Sequence, residues 1–371
     1  MQVLTTHQRL AWTTALEQCA RHDFYHLPEY HSLAEEFGEG KAFLFHHVEG
    51  DYSIALPLLL RSLAGLPGAE AGWHDVTSVY GYAGPISSHQ QIPETVVCNF
   101  QQSLRQHMHD MGVVTLFSRL HPLFSQESIL AGMGECQALS RTVSIDLTLP
   151  SEMQRAEYRK SHKEGINKLR RKGLTFVHDR NGLYLESFVE IYHETMRRVE
   201  AAPGYFFPLA YFRRLFDTLG ERVHLFVCLQ EEEVVCGGIF IQCGAILQYH
   251  LGGTRNAALK LAPMKLLLDD IRLWANGTDL EFYHLGGGAT IQPNDSLLHF
   301  KLGFSGRTHK FSVWRWVLLE DAYRRLCKEK SSWNQRNGLD PTSSGFFPEY
   351  RTPTVPRAAV QEQADLEQVC Q

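Results

Sequence analysis

The sequence predicts an α/β protein with mixed sheets, built from two units of one plan: strand, strand, strand, helix, strand. Three observations predict it. Short apolar runs of strand length, an amphipathic helix and a further strand follow one another between residues 41 and 118. The same order returns between residues 223 and 285. A chain of 371 residues with 44% hydrophobic and 21% charged content also has the material for two domains or one large one.

The first unit reads as strand KAFLFHHV, a Gly50-Asp51 turn, strand YSIALPLLL and a glycine-rich stretch, Tyr80-Gly81-Tyr82-Ala83-Gly84-Pro85. A helix follows with Pro93 near its first turn, an apolar face of Val97, Phe100, Leu104, Met108 and Met111, and Gly112 after its end. Strand VVTLFS comes at once, so strand, helix and strand form a parallel crossover. The second unit has strands VHLFVCL, VVCGGIFIQ and AILQYHL. A helix between Pro263 and Asn276-Gly277 then presents Met264, Leu267, Leu268, Ile271, Trp274 and Ala275 on one face, and strand LEFYHL closes the unit. Helical sequence precedes each unit: PEYHSLAEEFG in the first, LYLESFVEIYHETMRRVE and PLAYFRRLFDTLG in the second. The repeat is one of element order, not of residues. It divides the chain into 1–150, 151–320 and a polar extension at 321–371, whose Pro, Ser, Gln and Glu from Ser331 onward show little periodicity.

No segment reaches the roughly 18 apolar residues of a membrane span, and the mixed N-terminal sequence has no leader pattern, so a cytoplasmic protein is expected. The eight cysteines form no C-x-x-C pair, and several lie inside apolar strands, where a thiol acts as a small hydrophobe. Neither a metal site nor a disulfide framework is predicted. The aromatic groups Tyr205-Phe206-Phe207 and Trp314-Arg315-Trp316 read as core or interface ahead of base-stacking platforms.

In a chain of net charge −5, residues 155–172 hold eight Lys or Arg against two Glu. With Tyr158, Ile166 and Leu169 as a narrow apolar stripe, the remainder is either a solvated face or an anion site that gathers phosphates. The overall charge does not fit a dedicated duplex binder, so any RNA contact is local and salt-sensitive.

Gly286, Gly287 and Gly288 follow the last strand of the second unit, and a lone cation, Lys301, stands between Phe300 and Leu302-Gly303-Phe304. Three glycines at a strand end let another molecule approach the backbone closely. A cation there can stabilise the oxygen that turns negative when an amine attacks a carbonyl, with backbone N–H groups of the glycines beside it. His284, Asp295 and His299 are the nearby bases, and Asp295 also reads as the N-cap of a helix Ser296–Phe300.

With those residues in view, the chain resembles the FemAB-like aminoacyl and acyl transferases, which are built from GNAT (Gcn5-related N-acetyltransferase) folds. The resemblance spans roughly residues 20–320. It rests on Leu27-Pro28-Glu29-Tyr30, Ala55-Leu56-Pro57-Leu58, Gly81-Tyr82-Ala83-Gly84-Pro85, the basic Ile166–Arg171 segment ending at Lys172-Gly173, the Pro263 helix, and Gly286-Gly287-Gly288 followed by Phe300-Lys301-Leu302-Gly303-Phe304. It implies two tandem GNAT-like domains packed around a shared groove, and an N-acyltransferase acting on an amine of a cell-envelope or polysaccharide precursor, such as a nucleotide sugar. No permanently bound cofactor is implied; the donor is an acyl-CoA or an aminoacyl-tRNA. Lys301, with His299 and His284, takes the catalytic role, and Gly286, Gly287, Gly288, Phe300, Lys168, Arg170 and Arg171 the substrate contacts. Arg255 and Lys260, in the loop that cradles the donor pyrophosphate in ordinary GNAT folds, are the donor contacts. The chain lacks the long helical hairpin of some tRNA-dependent relatives, which favours the general N-acyltransferase branch. The competing reading is a non-catalytic protein that keeps the groove and holds RNA or a phosphorylated ligand.

Overall fold

A computed structural model describes residues 1–124, 126–292, 294–339 and 345–353. Its strands are β1 (Gln2–Thr5), β2 (Lys41–Glu49), β3 (Tyr52–Ser62), β4 (His74–Thr77), β5 (Ile86–Ser87), β6 (Val113–Arg119), β7 (Glu135–Asp146), β8 (Thr175–Asp179), β9 (Val223–Gln230), β10 (Glu233–Cys243), β11 (Ile246–Thr254), β12 (Phe282–Gly286) and β13 (Thr308–Val317). The helices are α1 (Arg9–Glu17), α2 (Pro28–Glu36), α3 (Glu94–Asp110), α4 (Glu127–Leu130), α5 (Ser151–Ala156), α6 (Lys160–Arg171), α7 (Leu185–Arg198), α8 (Leu209–Leu219), α9 (Met264–Ala275), α10 (Ser296–Lys301) and α11 (Glu320–Arg336).

All strands join one sheet in the order β1-β2-β3-β4-β6-β13-β7-β12-β11-β10-β9-β8, with β5 on β3. Both units are present, and in each the helix is the crossover between parallel strands: α3 between β4 and β6, α9 between β11 and β12. The third strand of the first unit is the short His74–Thr77, which carries no apolar run and was not legible.

The centre of the sheet holds the feature that the sequence pattern did not reveal. After the first unit the chain runs into β7, which pairs with β12 of the second unit. After the second unit it runs into β13, which pairs with β6 of the first. β7 and β13 then pair with each other. Each unit is thus completed by the strand that follows the other.

Alternate side chains of β10 show how the layers form. Ile239 and Ile241 enter a core made with α1, α2, α7 and α8, whereas Phe240 enters a core made with α6 and α9. The first core is continuous across both halves, because α2 packs on α8 and Glu36 receives a forked hydrogen bond from Arg214. A third core, under α3, includes Phe100, Leu104 and Met108 from the anticipated apolar face, together with Trp314 and Trp316 from β13.

Two local features lie beyond the sequence reading. The basic segment is not one helix: α5 ends at Ala156 and α6 begins at Lys160, with Tyr158 buried between them and Ile166 and Leu169 buried along α6. The described part of the C-terminal extension packs on the first half. Ala322 and Leu326 of α11 join Leu63, Val114 and Tyr350, and Arg351 with Arg61 flanks the fully buried Asp75. Residues 340–344 and 354–371 of that extension, with Cys370, lie outside the described residues. No helix among the described residues is long and apolar enough to cross a membrane.

Candidate active site

The parallel strands β11 and β12 pair only from Ile246 opposite Phe282 to Gln248 opposite His284. Beyond that point β11 continues to Thr254, while β12 bulges against β7 and turns away at Gly286. The strands part, and Lys301, the last residue of α10, fills the gap. Its Nζ donates to the Gly287 carbonyl at 2.6 Å and lies 5.4 Å from the centre of the Tyr249 ring. Lys301 is 6% exposed, and among the described residues no carboxylate stands within ion-pair distance of it. Burial pushes its pKa down from 10.5 to about 7, with the field of Asp295 pulling the other way.

Backbone conformation and packing require two of the three glycines, Gly286 and Gly288. Gly286 has φ +76°, and a Cβ there would stand 3.4 Å from Lys301 Nζ and 3.6 Å from Tyr82 Oη. At Gly288 a Cβ would fall 2.4 Å from Asp295 Oδ1. Asp295 caps α10 through Leu298 N–H at 2.7 Å and also accepts from the N–H groups of Ala289 and Thr290 and the Thr290 hydroxyl. Burial opposes its charge, but these bonds outweigh that and hold its carboxyl below the usual range. The cap reading of Asp295 is the one realised.

Tyr82, from the glycine-rich stretch of the first half, reaches across the chain and accepts the Gly287 N–H at 3.3 Å. Its ring lies edge-on to His284 and Phe311, at centroid distances of 5.5 and 5.3 Å. Burial raises its pKa, so the hydroxyl stays protonated. Tyr82 thus takes the Gly287 N–H that the sequence reading offered to an oxyanion, and supplies its own O–H at the gap instead.

The other anticipated residues divide. His284 is fully buried, with Nδ1 2.5 Å from Gln248 Oε1 and Nε2 2.8 Å from Thr142 Oγ1, so both ring nitrogens are committed to neutral partners. Burial pushes its pKa well down, aided by His121, His309 and Lys301. His299 stands on the exposed side of α10, with Nε2 2.6 Å from Arg159. Phe300 packs on His162 and Phe304, not on the lysine. Of the basic trio, Arg170 is held by Asp269 and Asp270 of α9 and Arg171 donates to the Asn167 carbonyl, whereas Lys168 is exposed. The structure therefore gathers Lys301, His284 and the glycines in one place and leaves His299, Phe300 and the basic trio outside it. Tyr82, Gln248, Tyr249 and Thr142 were not anticipated as site residues; only Tyr82 had a signal, its position between two glycines.

A family profile for the acetyltransferase (GNAT) domain matches residues 156–302. No curated protein matches the chain in sequence. Among solved structures, that of FemX superposes with a TM-score of 0.66 at 12% identity, covering 87% of this chain and 99% of that one. The chain has the fold of FemX, with a GNAT domain over residues 156–302. L-PGS from Bacillus licheniformis is similar at TM-score 0.53 and 14% identity, over 83% of this chain and 91% of its own. So is a conserved protein of unknown function from Bacteroides thetaiotaomicron, at TM-score 0.54 and 10% identity, over 84% and 98%. At these identities the likeness is one of fold.

The loop before α9 is where the resemblance expects the donor pyrophosphate. Here Arg255 turns back on β10, its Nε donating to the Val234 carbonyl and its N–H to that of Val235. Lys260 is exposed on a 3-10 turn, Asn256–Leu261. In the first turn of α9, the N–H groups of Lys265 and Leu266 are bonded to the carbonyls of Ala262 and Pro263. Two of the N–H groups that would meet a pyrophosphate are thus already used, while Lys260 stays open to solvent.

Proposed function

We propose that the protein is an N-acyltransferase that moves an aminoacyl or acyl group onto an amine of a cell-envelope or polysaccharide precursor, with its chemistry in the gap between β11 and β12. The observation that carries this reading is the buried Lys301 at the point where the strands part, beside bare glycine backbone and the Tyr82 hydroxyl. A neutral acceptor amine attacks the donor carbonyl, and the ammonium of Lys301 and the O–H of Tyr82 receive the developing oxyanion. A donor of this kind contributes about 3 kcal/mol to the transition state. As the tetrahedral intermediate collapses, the carbon–oxygen or carbon–sulfur bond to the leaving group breaks and Lys301 passes it a proton. The amine's lost proton restores the ammonium. A pKa near 7 suits a group that gives and regains a proton at neutral pH.

Of the two donors, the bonded N–H groups of Lys265 and Leu266 at the start of α9 weigh toward an aminoacyl ester over a CoA thioester. The exposed Lys168, Arg171 and Lys172 at the end of α6 offer charge to a polyanionic carrier such as tRNA. The direct experiment offers charged tRNAs and CoA thioesters to the purified chain with amino-sugar nucleotides and peptide amines, and reads products by mass spectrometry. Lys301→Met should lower kcat by about 100-fold or more. A folded Lys301→Met protein with full turnover would overturn the assignment, and salt-sensitive RNA binding with no product from any donor would favour the non-catalytic reading.

A further inference from the structure

We propose that a second cleft, beside α4 in the first half, binds a zwitterionic amino-acid group and seats the acceptor; as an acceptor site it rests on the acyl-transfer reading above. The cleft has a volume of about 330 Å³, within the range of small-molecule sites. Leu120, Pro122 and Phe124 form an apolar wall, and Glu127, Lys310 and Ser312 form a polar rim.

Its position follows from the repeat. In the second half β12 leads through the glycine loop to α10 and then to β13; in the first half β6 leads through residues 120–126 to α4 and then to β7. The last residue of α10 is Lys301, and the last residue of α4 is the buried Leu130. The first half therefore has the counterpart of the active loop without its cation. The two places adjoin, because the His121 ring at the edge of the cleft lies 6.4 Å from the rings of both Tyr82 and His284.

The rim chemistry selects the ligand. Glu127 Oε1 is 2.5 Å from Lys310 Nζ and accepts from Ser312 Oγ at 3.2 Å. Both charged side chains are about half exposed, at 46% and 58%. An ion pair so open to solvent separates readily. A zwitterion placed between them gives its ammonium to Glu127 and its carboxylate to Lys310, so every charge stays paired, and a second, neutral amine of the acceptor is the one that is acylated. An amine or a carboxylate alone leaves one rim charge without a partner. The ring of Phe124, stacked on His121 at 4.0 Å, offers a flat surface to the ligand's side chain.

Titration calorimetry on the full chain tests this with L-alanine and L-lysine, their amides and their N-acetyl derivatives. The free amino acids should bind at least about tenfold tighter than either capped form. Glu127→Gln and Lys310→Met should each weaken them by about tenfold or more, and Lys301→Met should leave them unchanged. Equal binding of capped and free forms, indifference to Glu127→Gln, or no heat at about 10 mM probe would overturn the proposal. Binding without transfer from any donor removes the acyl-transfer reading and leaves a zwitterion site. Transfer with an acceptor KM unmoved by both rim variants removes the cleft and leaves the chemistry.

Discussion

Lys301 is a lysine whose burial costs stability whenever it is charged, and this gives a test that needs no substrate. Its folded pKa, about 7, lies below its unfolded value of 10.5, so between these pH values the unfolded chain binds the extra proton and stability rises with pH. Lys301→Met should therefore be more stable than the parent by several kcal/mol, on the order set by that shift, below pH 7. The advantage should shrink through the window and vanish above about pH 10.5, as read by urea midpoints across pH. In the enzyme reading, kcat should fall as pH rises through Lys301's pKa, and Lys301→Arg should remove that falling limb. Asp295→Ala loses the cap of α10 and three further bonds, and should cost about 2 kcal/mol while loosening the glycine loop. The lysine was legible because a lone cation in an apolar frame stands out. His299 was misplaced because two residues along a helix turn a side chain about 200° away. Tyr82 was hidden because its partner, Gly287, lies in the other half of the chain.

At the scale of elements, the strands and helices with strong periodicity were legible, and β7 and β13 were not. Their sequences, ECQALSRTVSID and THKFSVWRWV, mix charged and apolar side chains because each strand sits between two others at the junction, partly covered on both faces. Pairing between distant strands leaves no local signature, so the exchange could come only from the structure. A break at residue 150 leaves β7 on the first fragment and β13 on the second, each separated from the unit it completes. Fragments 1–150 and 151–371 expressed alone should aggregate, and should give soluble protein only when produced together, as size-exclusion chromatography would show.

At the scale of the molecule, the described part of the aperiodic C-terminal extension straps the first half. Tyr350 bonds the Thr115 hydroxyl of β6, and Arg351 pairs with the buried Asp75 of β4, which also holds Arg61. Arg351→Ala leaves Asp75 with one arginine, and should cost about 1–3 kcal/mol, measured by denaturant melts. The exchanged strand has a consequence for how the protein is made. Trp316 lies opposite Leu116, so the central seam of the sheet closes only when β13 leaves the ribosome. Until then β6 presents a bare edge on a nascent chain more than half synthesised, the condition under which strands pair with the wrong neighbour. The order of synthesis therefore makes the last strand a checkpoint: stalled or truncated chains lacking β13 should remain bound to chaperones, and release should follow its emergence.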